Sequence, residues 1–100
     1  MIVSDATALI ALINIEAFDL LERFTDGIVL PSEVYREVTR RPCALRALDR
    51  KIDEGFVTIQ DYEDRQLFQE IHYILDAGES AAIALAIEQK LPLIIDERKG

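Results

Sequence analysis

Four short apolar runs, each followed by a turn or a helix-forming segment, constrain this chain more than any other feature. They are "MIV" at the start, "GIVL" ending at Leu30, "FVTI" ending at Ile59, and Leu93-Ile94-Ile95 after Pro92. A strand with one wet face alternates apolar and polar residues, whereas these runs are nearly continuous, the pattern of strands buried on both faces of a parallel sheet. Parallel strands require crossover connections, and the stretches between the runs are long enough to be helical. The expected fold is therefore α/β, a three-layer α/β/α arrangement around a short parallel sheet. In such sheets ligands gather beyond the carboxyl ends of the strands.

The intervening segments carry helix signals. "ATALIALINI" is rich in Ala, Leu and Ile, with Thr7 as a candidate cap, and "EAFDLLERF" runs up to the Asp26-Gly27 turn. Ser32 is placed to cap "EVYREVTR", and Pro42 interrupts that helix before "ALRALDRKI" resumes it. "DRQLFQEIHYILDA" places Leu67, Ile71, Ile74 and Leu75 on one stripe. Gly78 is expected to break it, after which "ESAAIALAIEQK" forms another helix with Ala82, Ile83, Ala86 and Ile87 turned inward.

Composition narrows the function classes. One hundred residues, half of them apolar, describe one ordered domain spanning 1–100. No apolar stretch is long enough and free enough of acids to cross a membrane. The N-terminus has an acid at position 5 and no basic leader region, so the chain reads as folded and cytoplasmic. Cys43 is the sole cysteine and His72 the sole histidine, which excludes an internal disulfide, a thiolate cluster and an imidazole-built zinc site. The formal charge of −8 argues against broad electrostatic attraction to nucleic acid. It does not argue against a nucleic-acid enzyme whose carboxylates are compensated by bound cations.

The acids fall at informative places. Asp5 follows the first strand and Asp96 the last, so neighbouring parallel strands would bring both to one rim. Glu37 stands beside the inward positions Val34 and Val38, and Glu79 opens a helix. Carboxylates crowded together repel unless protons or hard cations intervene, and oxygen ligands without cysteine or histidine suit Mg²⁺ or Mn²⁺. Each acid also has a plainer reading. Asp5 can cap the following helix, Glu37 can pair with Arg41 one turn on, Glu79 is favoured by the helix dipole whatever its role, and Asp96 with Glu97 can form a solvated turn.

Taken together, "IVSDATALIALINIEAFDLL", "IVLPSEVYREV", "DAGESAAIALAIE" and "LIIDERKG" resemble the PIN-domain proteins, metal-dependent nucleases that include the toxins of many prokaryotic toxin–antitoxin pairs. The resemblance covers almost the whole chain in order and is nearest to the branch described as predicted nucleic-acid-binding proteins. It implies that Asp5, Glu37, Glu79 and Asp96 hold Mg²⁺ or Mn²⁺, with Thr7 or Ser4 as an accompanying hydroxyl. The implied reaction is hydrolysis of phosphodiester bonds, with RNA as substrate and Arg98 and Lys99 as phosphate contacts. An antitoxin protein is the implied partner of a toxin. A degenerate PIN-like module that binds RNA or protein without cutting is the alternative, and bound divalent metal separates the two.

Other folds with acids at strand ends fit less well. An aspartyl-phosphate phosphatase needs a second aspartate where Thr7 stands, a phosphoacceptor domain needs a strand-end lysine, and dinucleotide binding needs a glycine-rich first turn. Family members continue past this motif with a further helix and strand, so the resemblance implies a C-terminally truncated form. The strand Leu93–Ile95 would then be an apolar edge with neither charge nor proline to discourage pairing, and a homo-oligomer covering it is expected.

Overall fold

The computed structural model of the protein describes residues 1–95. Four strands, β1 (Ile2–Ser4), β2 (Ile28–Leu30), β3 (Val57–Ile59) and β4 (Leu93–Ile94), form one sheet in the order β3-β2-β1-β4. Every pairing is parallel, with Val3 opposite both Val29 and Leu93 and Val29 opposite Thr58. The connections are helical: α1 (Ala6–Asn14) and α2 (Phe18–Phe24) join β1 to β2, and α3 (Ser32–Val38) and α4 (Pro42–Asp53) join β2 to β3. α5 (Arg65–His72) and α6 (Ala77–Gln89) lead back to β4. This is the α/β sheet that the four apolar runs imply.

The chain steps one way along the sheet from β1 to β3, then returns past β1 to place β4 on its far side. Right-handed crossovers send these opposite movements over opposite faces of the sheet. The strand order therefore reverses beside β1, and the crevice at the carboxyl end of that strand is where such a sheet offers a ligand site. Two backbone bonds fix the β1/β4 pair: the Val3 amide donates to Pro92 O (2.8 Å) and the Asp5 amide to Ile94 O (3.0 Å).

The core fills the space between sheet and helices. Val3, Ile28, Leu30, Val34, Val38, Leu48 and Leu85 are fully buried, and burial of each such side chain contributes on the order of 1.5–3 kcal/mol. Among the described residues only β1 and β2 have a strand on either side, and the expectation that all four runs are buried on both faces is corrected at β3. Among the described residues β3 and β4 are edges, and Thr58 and Ile59 are exposed.

Several local expectations also change. Asp5, not Thr7, caps α1, its Oδ1 accepting the Ala8 amide at 2.9 Å. Ser32 is the first residue of α3 rather than its cap, and the Ser32 amide donates to Asp61 Oδ1 at 2.9 Å, so the cap comes from the loop after β3. Pro42 does separate two helices, standing at the start of α4 where its missing amide costs nothing. The stripe read through Leu75 stops earlier. α5 ends at His72, whose Nδ1 lies 2.9 Å from Leu75 O, and Ile74 in the following turn is 81 % exposed. Gly78 breaks nothing: Asp76 caps α6 through the Glu79 amide (2.8 Å), which leaves Gly78 inside the first turn. Within α6, Ala82 and Ala86 are buried as expected, but Ile87 is 54 % exposed and Leu85 takes the core position. α6 touches β1, β4, α3 and α5, so small residues around most of its circumference face neighbours and no single stripe defines it.

Candidate active site

The end of β1 delivers Asp5 to the rim with only 2 % of its surface exposed. Its carboxylate is oriented by the α1 cap, and a carboxylate accepts several bonds at once, so capping and cation binding are compatible. Ser4, the other buried polar residue of the strand end, turns its hydroxyl to Asp5 O at 3.0 Å. Thr7 instead lines the cleft together with Asp5.

Two further acids come from opposite sides of that cleft. Val34 and Val38 pin α3 into the core, which leaves Glu37 on the rim, and Glu37 makes no ion pair with Arg41. Glu79, in the first turn of α6, is half-buried. The floor between them is Gly78. A Cβ there would stand 3.1 Å from Glu37 Oε1 and 3.8 Å from Asp76 Oδ1, so the absent side chain leaves the space that the Glu37 carboxylate uses. The resulting cleft, of about 10 Å³, is lined by Asp5, Thr7, Glu37, Asp76, Gly78 and Glu79 and has room for about one water-sized occupant.

Electrostatics follow from that crowding. Glu79 holds its proton more tightly than an ordinary glutamate, chiefly through burial and then through the negative charges of Asp76 and Asp5, with a hydrogen bond to Asp76 and the charge of Glu37 adding to it. A divalent cation is the counterion that relieves such repulsion, and a purely oxygen donor set suits Mg²⁺ or Mn²⁺. Gly78 gives the Glu37 carboxylate its space, and the α1 cap orients Asp5. Among the described residues, however, no group of three or more Asp, Glu, His or Cys is drawn together closely enough to hold a metal ion.

The structure thus brings Asp5, Glu37 and Glu79 to one cleft. Asp96, the fourth expected ligand, lies outside the described residues, as do Glu97, Arg98 and Lys99. Asp76 is the acid that sequence reasoning missed. Its signal was present as Asp76-x-x-Glu79, a capping pattern at a helix start, obscured by taking Gly78 as the break. Among the described residues, no helix is long and apolar enough to cross a membrane. A family model described as a PIN domain matches residues 1–100. No curated protein and no solved structure matches the chain.

Proposed function

Because the chain belongs to the PIN-domain family, whose members are in general nucleases dependent on divalent metal, we propose that this protein is a Mg²⁺- or Mn²⁺-dependent endoribonuclease. Asp5, Glu37, Glu79 and Asp96 are the residues assigned to the cation. The observation that carries the reading is the meeting of Asp5, Glu37 and Glu79, with Asp76, at the cleft where the strand order reverses. A bound cation supplies positive charge and Lewis acidity to a phosphodiester. The chain's own residues hold the geometry. Asp5 is fixed by strand and cap together. Glu37 is seated over Gly78, and Glu79, whose proton affinity is raised by burial and then by the charges of Asp76 and Asp5, gains from a nearby positive charge. Thr7 offers a hydroxyl donor at the cleft mouth.

A toxin role, with an antitoxin protein as partner, is the finer form of this reading. A homo-oligomer is proposed with it, motivated by β4, which has one partner strand among the described residues. The second reading is a binding-only module for RNA or protein, favoured by the absence of a closed three-ligand group among the described residues. Incubation of single-stranded RNA with the protein separates them. Cleavage with Mn²⁺ or Mg²⁺, none in EDTA, and loss of cleavage in a folded Asp5→Asn variant are expected. RNA left intact across a broad panel would favour the binding-only module.

A further inference from the structure

A second polar cleft opens on the same rim, at the carboxyl ends of β2 and β3. Its volume is about 270 Å³, and it is lined by Ser32, Glu33, Arg36, Asp61, Tyr62 and Arg65. Two acids and two arginines line it, yet their engagements differ. Asp61 accepts the Ser32 amide, and Glu33 lies close enough to Tyr62 for its charge to add to burial in raising the proton affinity of the phenol. Arg36 and Arg65 are exposed and form none of the ion pairs found within 4.0 Å among the described residues. The loop that carries Asp61 and Tyr62 is held in place: the Glu88 carboxylate of α6 accepts the Glu63 amide (2.9 Å) and the Asp64 amide (3.0 Å), and Tyr62 stacks on Phe68 at 4.6 Å. The walls are therefore fixed, and the two guanidiniums stand at the surface of the cleft, where the charge of Arg36 reaches Asp61 and that of Arg65 reaches Tyr62.

Position links the two clefts. Arg36 adjoins Glu37 in α3, and the strand ends that carry the clefts are neighbours in the order β3-β2-β1, with a spacing of about 4.8 Å per strand. A chain of phosphates laid along the carboxyl rim would meet the acids at β1 and the arginines at β2 and β3. On a protein with a formal charge of −8, two guanidiniums that line one cleft bring positive charge to the rim beside the acidic site. Arginine's planar fork suits phosphate oxygens. We infer that the Arg36–Arg65 cleft binds a backbone phosphate of single-stranded RNA adjacent to the scissile one, an assignment that rests on the nuclease reading for its register.

The test is a titration of ¹⁵N-labelled protein with octauridylate in EDTA, read by NMR on the arginine Nε–H and backbone amide signals. The Nε–H signals of Arg36 and Arg65 and the amide signals of Ser32 and Tyr62 are expected to move. Replacing both arginines by glutamine should weaken binding about tenfold or more and lower the slope of log affinity against log salt by about 0.7 for each phosphate that is no longer neutralised. Arg46→Ala, at an exposed position of α4, is the control and should change neither. Equal affinity in the wild-type and double-glutamine proteins, whether measurable or absent, overturns the assignment. Cleavage with Mn²⁺ is scored separately. A protein that binds through the two arginines but cuts no RNA retains this subsite and loses the nuclease reading, whereas one that cuts RNA while the double variant binds at full affinity loses the subsite alone.

Discussion

Glu37 Oε1 lies 3.1 Å from the point that a Cβ on Gly78 would occupy, so the seat of one acid is cut into the helix that carries another. Gly78→Ala sets two effects against each other. Alanine is favoured over glycine inside a helix by about 1 kcal/mol, and the atom it would crowd is the far end of a flexible side chain. Stability should be unchanged or higher by up to about 1 kcal/mol, while Mn²⁺ affinity and RNA cleavage fall. Thermal melting beside calorimetric Mn²⁺ titration checks this, and a variant with unaltered metal affinity would show that Glu37 does not need its seat.

Glu79 makes the unliganded site sensitive to pH. Its proton affinity in the folded protein is raised, first by burial and then by Asp76 and Asp5. The folded state therefore binds the proton more readily than the unfolded one. Its ionisation penalty is absent below the ordinary glutamate range and grows as pH rises through the elevated folded value. In EDTA, Glu79→Gln should be more stable than wild type at neutral pH, and the gap should close as pH falls through that window. Adding Mn²⁺ should raise the wild-type melting temperature more than that of the variant. Parallel melting curves at all pH values would contradict this account.

Asp5 has two duties that substitutions can separate. Asn retains an oxygen able to accept the Ala8 amide, whereas Ala removes the cap and costs about 1 kcal/mol. Asp5→Asn should therefore stay close to wild type in melting and lose metal binding, and Asp5→Ala should lose both. If Asp5→Asn bound Mn²⁺ normally, the carboxylate would not be a metal ligand.

Asp61 caps α3 from 29 residues away in sequence. The Ser32 amide, then the Ser32 side chain and the charge of Arg36, hold its proton affinity below that of an ordinary aspartate against the opposing effect of burial. A carboxylate with a depressed folded pKa adds stability above its unfolded value and loses it as pH falls through the folded one. Asp61→Ala should cost about 1 kcal/mol at neutral pH and progressively less in acid. A pH series of denaturant titrations on both proteins reads the difference directly.

The sheet was legible because strand signals are local: each run is apolar, short and closed by a turn or proline. The place of Asp5, immediately after the first such run, was legible for the same reason. What escaped the sequence was settled by contacts between distant segments. No local pattern announces that Asp61 will cap α3, and Ser32 offered a plausible nearer answer. Gly78 was misread because glycine usually punctuates a helix, whereas here the Asp76 cap starts the helix two residues before it and the glycine serves a neighbour's carboxylate. Ile87 matched a helical stripe that the structure does not use, since α6 meets neighbours on several sides. Asp96 and the basic pair Arg98 and Lys99 fall outside the described residues, so their part in the site stands as a sequence reading.

The bond between the Asp5 amide and Ile94 O spans nearly the whole length of the chain. On a ribosome adding roughly 5–20 residues per second, the donor emerges several seconds before its acceptor has been made. Until then β1 can pair only with β2, and the crevice beside Asp5 has one wall. For a nuclease of the kind proposed, the order of synthesis itself delays the cutting edge: Asp5 is translated well before the strand that its amide binds.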